Sequence, residues 1–224
     1  MKVTSNTAIS LDGRINTREG RFTTLGSAKD HARMSLLRSQ ADAVLVGGGT
    51  FRNWPHPSLP GDELLQPGAA PMWNVIISRG LNVPLSDEFL GEPRIRPLLL
   101  VPRAALPPGF VAPARLEVEA YDPPGGAEPG SLPVPWIVRT LAARGISNLL
   151  VEAGGDLLFQ FLAADALDEL NVTLCPLVVG GDTPSLADGP GFLFREMRRL
   201  ALLSAEIEGD EIFLRYRVRR GGAG

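Results

Sequence analysis

The chain has 224 residues, 44% of them hydrophobic, with 22 Lys and Arg against 25 Asp and Glu for a formal charge of −3. That balance fits an ordinary globular protein and leaves no basic, aromatic-laced stripe of the kind that grips a nucleic-acid backbone, so no nucleic acid is expected as a partner. One cysteine, Cys175, excludes an internal disulfide, and with only His31 and His56 beside it no zinc-ligand cluster can be assembled, so no metal is expected.

No apolar run approaches the roughly 18 residues of a membrane span, and the start MKVTSNTAIS lacks a signal-peptide core, which points to the cytoplasm. In chain order, KVTSNTAI alternates as a strand and reaches the turn pair Asp12–Gly13. Ser27 with Asp30 three residues on reads as a capping box, and Ala28, Ala32, Leu36 and Leu37 recur at helical spacing. AVLV is the next strand. Residues 52–71 hold five of the 20 prolines and read as a loop over a site. WNVIIS and PLLLV are buried strands, joined by a link with room for a helical turn.

Between Pro102 and Pro135 the strand candidate is ARLEVEAY, and PWIVRTLAARG then predicts a helix with Ile137, Val138, Leu141 and Ala142 on one face and Gly145 as its left-handed stop. SNLLVEAGG is a strand ending in glycines, DLLFQFLAADAL a helix, and DELNVTLCPLVVGG a long strand that again ends in glycines. Two alternating strands around Glu208–Glu211 close the chain as a hairpin. The reading is a single α/β domain over residues 1–220, with a mixed, mostly parallel sheet flanked by helices, a C-terminal antiparallel hairpin, and a flexible Gly-rich tail at 221–224. Cys175 reads as a buried, inert thiol and His31 as a structural residue.

Three strands therefore run into glycine, at VLVGGG, LLVEAGG and LVVGG. In open α/β sheets ligands gather beyond the carboxyl ends of the strands, and a helix starting there offers free N–H groups to a phosphate. Gly154–Gly155 ahead of Asp156 and LLFQFL is the best placed of the three. None matches the G-x-G-x-x-G fingerprint, and glycine after a strand also serves tight turns alone. Ser78 and Arg79, just past an apolar strand, pair a hydroxyl with a guanidinium, which suits a phosphate monoester such as the 2′-phosphate of NADPH, or leaves a solvated arginine.

SLDGRI (10–15), LRSQADAVLVGGGT (37–50), VIISR (75–79), LLVEAGGDLL (149–158) and LDELNVTLCPLVVGG (167–181) resemble, in order and spacing, the reductase domain of riboflavin biosynthesis. The resemblance implies a dihydrofolate-reductase-like fold, a homodimer, and NADPH-dependent hydride transfer to the ribose C1′ of a 5-amino-6-(5-phosphoribosylamino)pyrimidine. It implies Ala8 near the nicotinamide, Gly47, Thr50 and Phe51 against the cofactor, Ser78 and Arg79 at its 2′-phosphate, and Gly154, Gly155, Asp156 and Leu157 at its pyrophosphate. The substrate is expected between Asp12, Arg14, Glu152 and the proline-rich loop with Asn53 and His56; Glu152 and His56 are the catalytic candidates. The FLRYRV and VTLCPLV strands are candidates to pair across the dimer.

The family's deaminase partner needs H-x-E and P-C-x-x-C, which this chain lacks, so a stand-alone reductase is expected. Two departures bear on the substrate. Arg14 stands where the family usually has lysine. The usual Asp-Asp-Pro-x-Leu is replaced by FRNWPHPSLP, which puts His56 or Asn53 at an acidic position. Reduction of another, pterin-like heterocycle and NADPH binding without catalysis are the alternatives.

Overall fold

Apolar or alternating runs of five to nine residues set the strands. The computed structural model describes residues 1–20, 24–65, 68–123, 125 and 131–220. Its strands are β1 (Lys2–Ile9), β2 (Ala43–Gly47), β3 (Met72–Ile77), β4 (Ile95–Pro102), β5 (Glu117–Tyr121), β6 (Asn148–Glu152), β7 (Glu169–Leu174), β8 (Leu200–Glu208) and β9 (Glu211–Val218). They form one mixed sheet in the order β5-β4-β3-β2-β6-β1-β7-β9-β8. The helices are α1 (Ala28–Ser39), α2 (Gly48–Asn53), α3 (Asp87–Gly91), α4 (Val134–Ala143) and α5 (Gly155–Ala163). No helix among the described residues is long and apolar enough to cross a membrane. The glycine-rich tail read at 221–224 lies outside the described residues.

The chain clusters into two compact units, residue 1 with 35–150, and 2–34 with 151–224. In the first, β2, β3, β4 and β5 pair in parallel, with Val75 beside Leu98 and Leu100 beside Glu119. Strands covered on both faces need apolar residues at successive positions, and β3 and β4 comply with Val75, Ile76, Ile77 and Leu98 to Val101 fully buried. Asn74 is the polar exception inside β3. Phe51, Phe89, Ile76 and Leu99 centre this core, with the Phe51 and Phe89 rings edge to face at 4.9 Å. Ser86 caps α3 by accepting the Phe89 N–H at 3.1 Å. Val134, Ile137 and Leu141 are the buried face of α4, Ala142 faces solvent, and Gly145 at φ +82 ends the helix.

In the second unit β1 and β7 are parallel, while β9 runs antiparallel to both β7 and β8. Gly209, at φ +62, turns the β8–β9 hairpin. Asp168 gathers distant chain: it accepts the Val3 N–H on its carboxylate and the Val218 N–H on its carbonyl, each at 2.9 Å.

Three expectations need correction. The helix α1 forms, but Ala28, Ala32 and Leu36 face solvent and Asp30 is its buried residue. Thr173 Oγ1 donates to Asp30 at 2.6 Å, so the carboxyl is held inward and the capping box does not close. Glu211 takes over, accepting from the Ser27 N–H at 2.8 Å and the Ser27 hydroxyl at 2.6 Å. Next, β7 stops at Leu174 well short of Gly180–Gly181, because Pro176 has no N–H for a ladder and the Leu177 N–H folds back to the Cys175 carbonyl at 2.8 Å. Finally, the strands proposed to pair across a dimer are paired with each other, Val172 opposite Leu214, and both edges of each are taken within the chain.

Candidate functional site

The first group of site residues lies at the carboxyl ends of β2 and β3. Gly47 leads α2 in an extended conformation with no side-chain cap. A methyl at Gly48 would lie 2.9 Å from Ser78 Oγ, so the second glycine is needed for α2 to seat on the end of β3. Ser78 is thereby buried; its Oγ accepts the Gly80 N–H at 3.4 Å. Arg79 is exposed and its charge reaches Tyr121, where burial raises the hydroxyl above its ordinary pKa and the guanidinium opposes that rise. Thr50 is half-buried. The Phe51 ring belongs to the core, which leaves its backbone as the part that can meet a ligand.

Beyond α2 the proline-rich segment is pinned, not loose. Ser58 is held by Asn74, the Leu59 carbonyl accepts from Arg38 at 3.1 Å, and the Gly61 N–H reaches the Ser35 hydroxyl. Asn53 is exposed, and the His56 ring packs at 4.6 Å on Trp54. Behind His56 a cavity of about 10 Å³, lined also by Phe51, Ser58 and Asn74, has room for one water molecule and no more.

The second group lies at the ends of β1 and β6. Half-buried Glu152 closes β6, two residues ahead of Gly154, the uncapped N-cap of α5. The first intrahelical bond is Leu158 N–H to the Gly154 carbonyl at 3.2 Å, so the N–H groups of Gly155, Asp156 and Leu157 lie outside the helical ladder. Asp156 is exposed and accepts from Gln160 at 3.1 Å, whereas the Leu157 side chain is in the core. A side chain at Gly155 would run into the Ser185 carbonyl and sit 2.8 Å from the Asp188 nitrogen. Close packing of residues 185–188 thus requires that glycine independently of any phosphate.

Asp12 is fully engaged. Its carboxylate accepts from Ser10 Oγ at 2.6 Å, Val179 N–H at 3.1 Å and Gly180 N–H at 2.7 Å, and these bonds hold it down to a pKa of about 2. Arg14 donates from Nη1 to the Thr183 carbonyl at 2.6 Å, while its buried Nε has no partner among the described residues. Ala8, half-buried on β1, is in register with Thr173. Cys175 is buried, and burial, then Glu211 and Asp30, push its thiol up to about 12, so it stays protonated.

Reasoning from sequence missed Asn74 and the Ser185–Asp188 packing on Gly155. A lone Asn within the apolar run WNVII was the available signal for the first; nothing local announced the second. Each group has donor chemistry that suits a phosphate on its own: the start of α5 is uncapped, and after β3 a buried hydroxyl stands beside an exposed guanidinium.

In each unit a helix springs from glycines at the carboxyl end of a strand, α2 after β2 and α5 after β6, the place where α/β sheets bind ligands. The chain belongs to the RibD C-terminal domain family, whose sequence model matches residues 1–213. It is 29% identical over 197 residues to the 2,5-diamino-6-ribosylamino-4(3H)-pyrimidinone 5′-phosphate reductase of Archaeoglobus fulgidus, covering 84% of this chain and 86% of that one. The enzyme of that name from Methanothermobacter thermautotrophicus is 28% identical over 221 residues, 96% of each chain. Among solved structures, Acinetobacter baumannii RibD superposes with a TM-score of 0.77 at 19% identity over 98% of this chain, which spans 58% of that protein's length. A pyrimidine reductase-like protein from Corynebacterium diphtheriae gives 0.77 at 19% identity, covering 98% of this chain and 92% of its own.

Proposed function

We propose that the chain is a reductase of riboflavin biosynthesis that delivers hydride from NADPH to the ribosyl C1′ of a 5-amino-6-(5-phosphoribosylamino)pyrimidine. The observation that carries this reading is Glu152 at the end of β6, two residues before the uncapped start of α5, in a chain that matches archaeal reductases over 84% and 96% of its length. Those relatives favour the pyrimidine that still bears its 2-amino group.

When bound, NADPH supplies the hydride. Hydride adds at C1′, the C1′–O4′ bond breaks, and a proton ends on O4′, leaving a ribityl chain. The residues of the protein bind, orient and manage that proton. Gly154, Gly155, Asp156 and Leu157 present backbone N–H groups to the pyrophosphate, and Ser78 and Arg79 take the 2′-phosphate. Gly47, Thr50 and the Phe51 backbone line the cofactor, with Ala8 at the nicotinamide. Glu152 holds the substrate by its carboxylate, and Arg14 draws the substrate phosphate with a fork that matches its oxygens. Asp12 acts by fixing the Val179–Gly180 turn beside Arg14. His56, beside Asn53 in the proline-rich segment, is the candidate proton donor.

The active form in this reading is a homodimer. Its support is the edge strand β8, which exposes Leu202, Leu203 and Ile207, the last at 75% of its surface. An apolar edge strand left open is an aggregation hazard that a second copy removes. Light scattering on the wild type and Ile207→Lys tests it: a dimer that becomes a monomer is expected.

The reading as a whole is tested by titrating the protein with NADPH and NADH through energy transfer from tryptophan, then following NADPH oxidation with the phosphoribosylamino-pyrimidine and with dihydropterin. Oxidation by the pyrimidine alone is expected. Oxidation by the pterin alone, or binding without oxidation by either, overturns it.

A further inference from the structure

We infer that Arg52 is a second guanidinium at the cofactor's 2′-phosphate and a determinant of the preference for NADPH over NADH. The inference rests on the NADPH reading above and adds to it a residue that no motif of the family marks.

The geometry is local. The carbon that a side chain at Gly48 would place lies 2.9 Å from Ser78 Oγ and 3.3 Å from Arg52 Nη1, so hydroxyl and guanidinium flank one point. Arg52 Nη2 lies 3.9 Å from the matching point at Gly49. The side chain therefore folds back over the glycines instead of extending into solvent. Nη1 also donates to the Asn82 carbonyl at 3.2 Å, which anchors the fork to the segment that Arg79 begins. One bond to a carbonyl leaves four of the five guanidinium N–H groups for other acceptors.

Charge gives the direction. Arg94, Arg96, Arg103, Arg144 and Arg215 each pair with a carboxylate, whereas no carboxylate pairs with Arg52 among the described residues. An exposed cation held in place beside a buried hydroxyl, without an acid to neutralise it, is a seat for an anion. A phosphate monoester carries close to two charges at neutral pH and up to three acceptor oxygens, so Arg79 alone leaves it half-compensated. A fork supplies two parallel donors to such a group, which a lysine does not.

The experiment measures binding without turnover. Dissociation constants of NADPH and NADH are determined by tryptophan energy transfer for the wild type, Arg52→Ala and Arg52→Lys, with adenosine 2′,5′-bisphosphate and ADP as displacing probes. Melting curves establish that the variants are folded. Arg52→Ala is expected to weaken NADPH and the bisphosphate by about 10-fold or more, as for loss of a charge-assisted hydrogen bond, while NADH and ADP shift less than about twofold. Arg52→Lys is expected to fall between. Equal weakening of all four ligands makes Arg52 only a staple for the 78–82 segment, and an unchanged NADPH-to-NADH ratio removes it from the phosphate; either overturns the inference and leaves the reductase reading standing. A wild type without preference for NADPH overturns both. Preference for NADPH with no turnover of the pyrimidine overturns the reductase reading alone.

Discussion

Asn74 grips Ser58 by both of its backbone groups: Asn74 Oδ1 accepts the Ser58 N–H at 2.7 Å, and Nδ2 donates to the Ser58 carbonyl at 3.2 Å. The amide does for the proline-rich segment what a neighbouring strand does for a β-strand. Prolines 55, 57 and 60 cannot donate to a ladder, so a side chain takes that role.

Asn74→Leu keeps the volume and removes both bonds, which strands a buried N–H and carbonyl. A loss of about 2–3 kcal/mol in urea unfolding is expected, with faster amide exchange over residues 56–61. An unchanged midpoint would show that the segment is held by Arg38 and Ser35 alone.

Gly155→Ala drives a methyl into the Ser185 carbonyl, a backbone atom with no rotamer to escape by. The expected cost is about 1–3 kcal/mol, and it should appear in thermal unfolding of the protein without nucleotide. Stability equal to wild type would show that residues 185–188 yield readily.

Two carboxyls shift in opposite senses, and each gives a pH signature. Asp12 is lowered from 3.8 to about 2, so its contribution is present above the unfolded value and is lost as pH falls through about 2. Asp12→Asn should flatten that acid limb of the stability curve.

Asp30 is raised by burial, opposed by the Thr173 bond, with His31, Glu211 and Arg33 as the charges around it. Here the folded state binds the proton more tightly, so stability falls as pH rises from the unfolded value through the folded one. Asp30→Asn keeps an acceptor for Thr173 and should remove that fall. A variant curve parallel to wild type between pH 4 and 8 would contradict it.

Glu152→Gln is expected to lower kcat/KM for the pyrimidine by about 10–100-fold, as for loss of a charge-assisted hydrogen bond to substrate, while leaving NADPH affinity within about twofold. Loss of NADPH binding in this variant would reassign Glu152 from substrate to cofactor.

The central strands were legible because burial on both faces demands near-continuous apolar runs, as in PLLLV and in WNVII with its one polar residue, Asn74. The left-handed stop at Gly145, φ +82, was legible because few other residues suit such a position. The inward face of α1 was not, because the partner that lets Asp30 point inward is Thr173, 143 residues away. Nor was the end of β7, where an apolar run continues past a proline that breaks the ladder. At the candidate site the glycines stood out, but half of their reason is packing: Gly48 on Ser78 and Gly155 on Ser185.

The placement of β9 between β7 and β8, and of β1 beside β7, also imposes a schedule on synthesis. Val3 and Asp168 are 165 residues apart, so β1 leaves the ribosome long before its partner exists. Residues 35–150 carry their own parallel core and can close while β1 waits. At about 5–20 residues per second, that wait lasts roughly 8–30 s. Then β8 emerges with only β9 to pair with, and stays open until residues 211–218 follow. A chaperone would thus meet β1 during the first wait and β8 during the second.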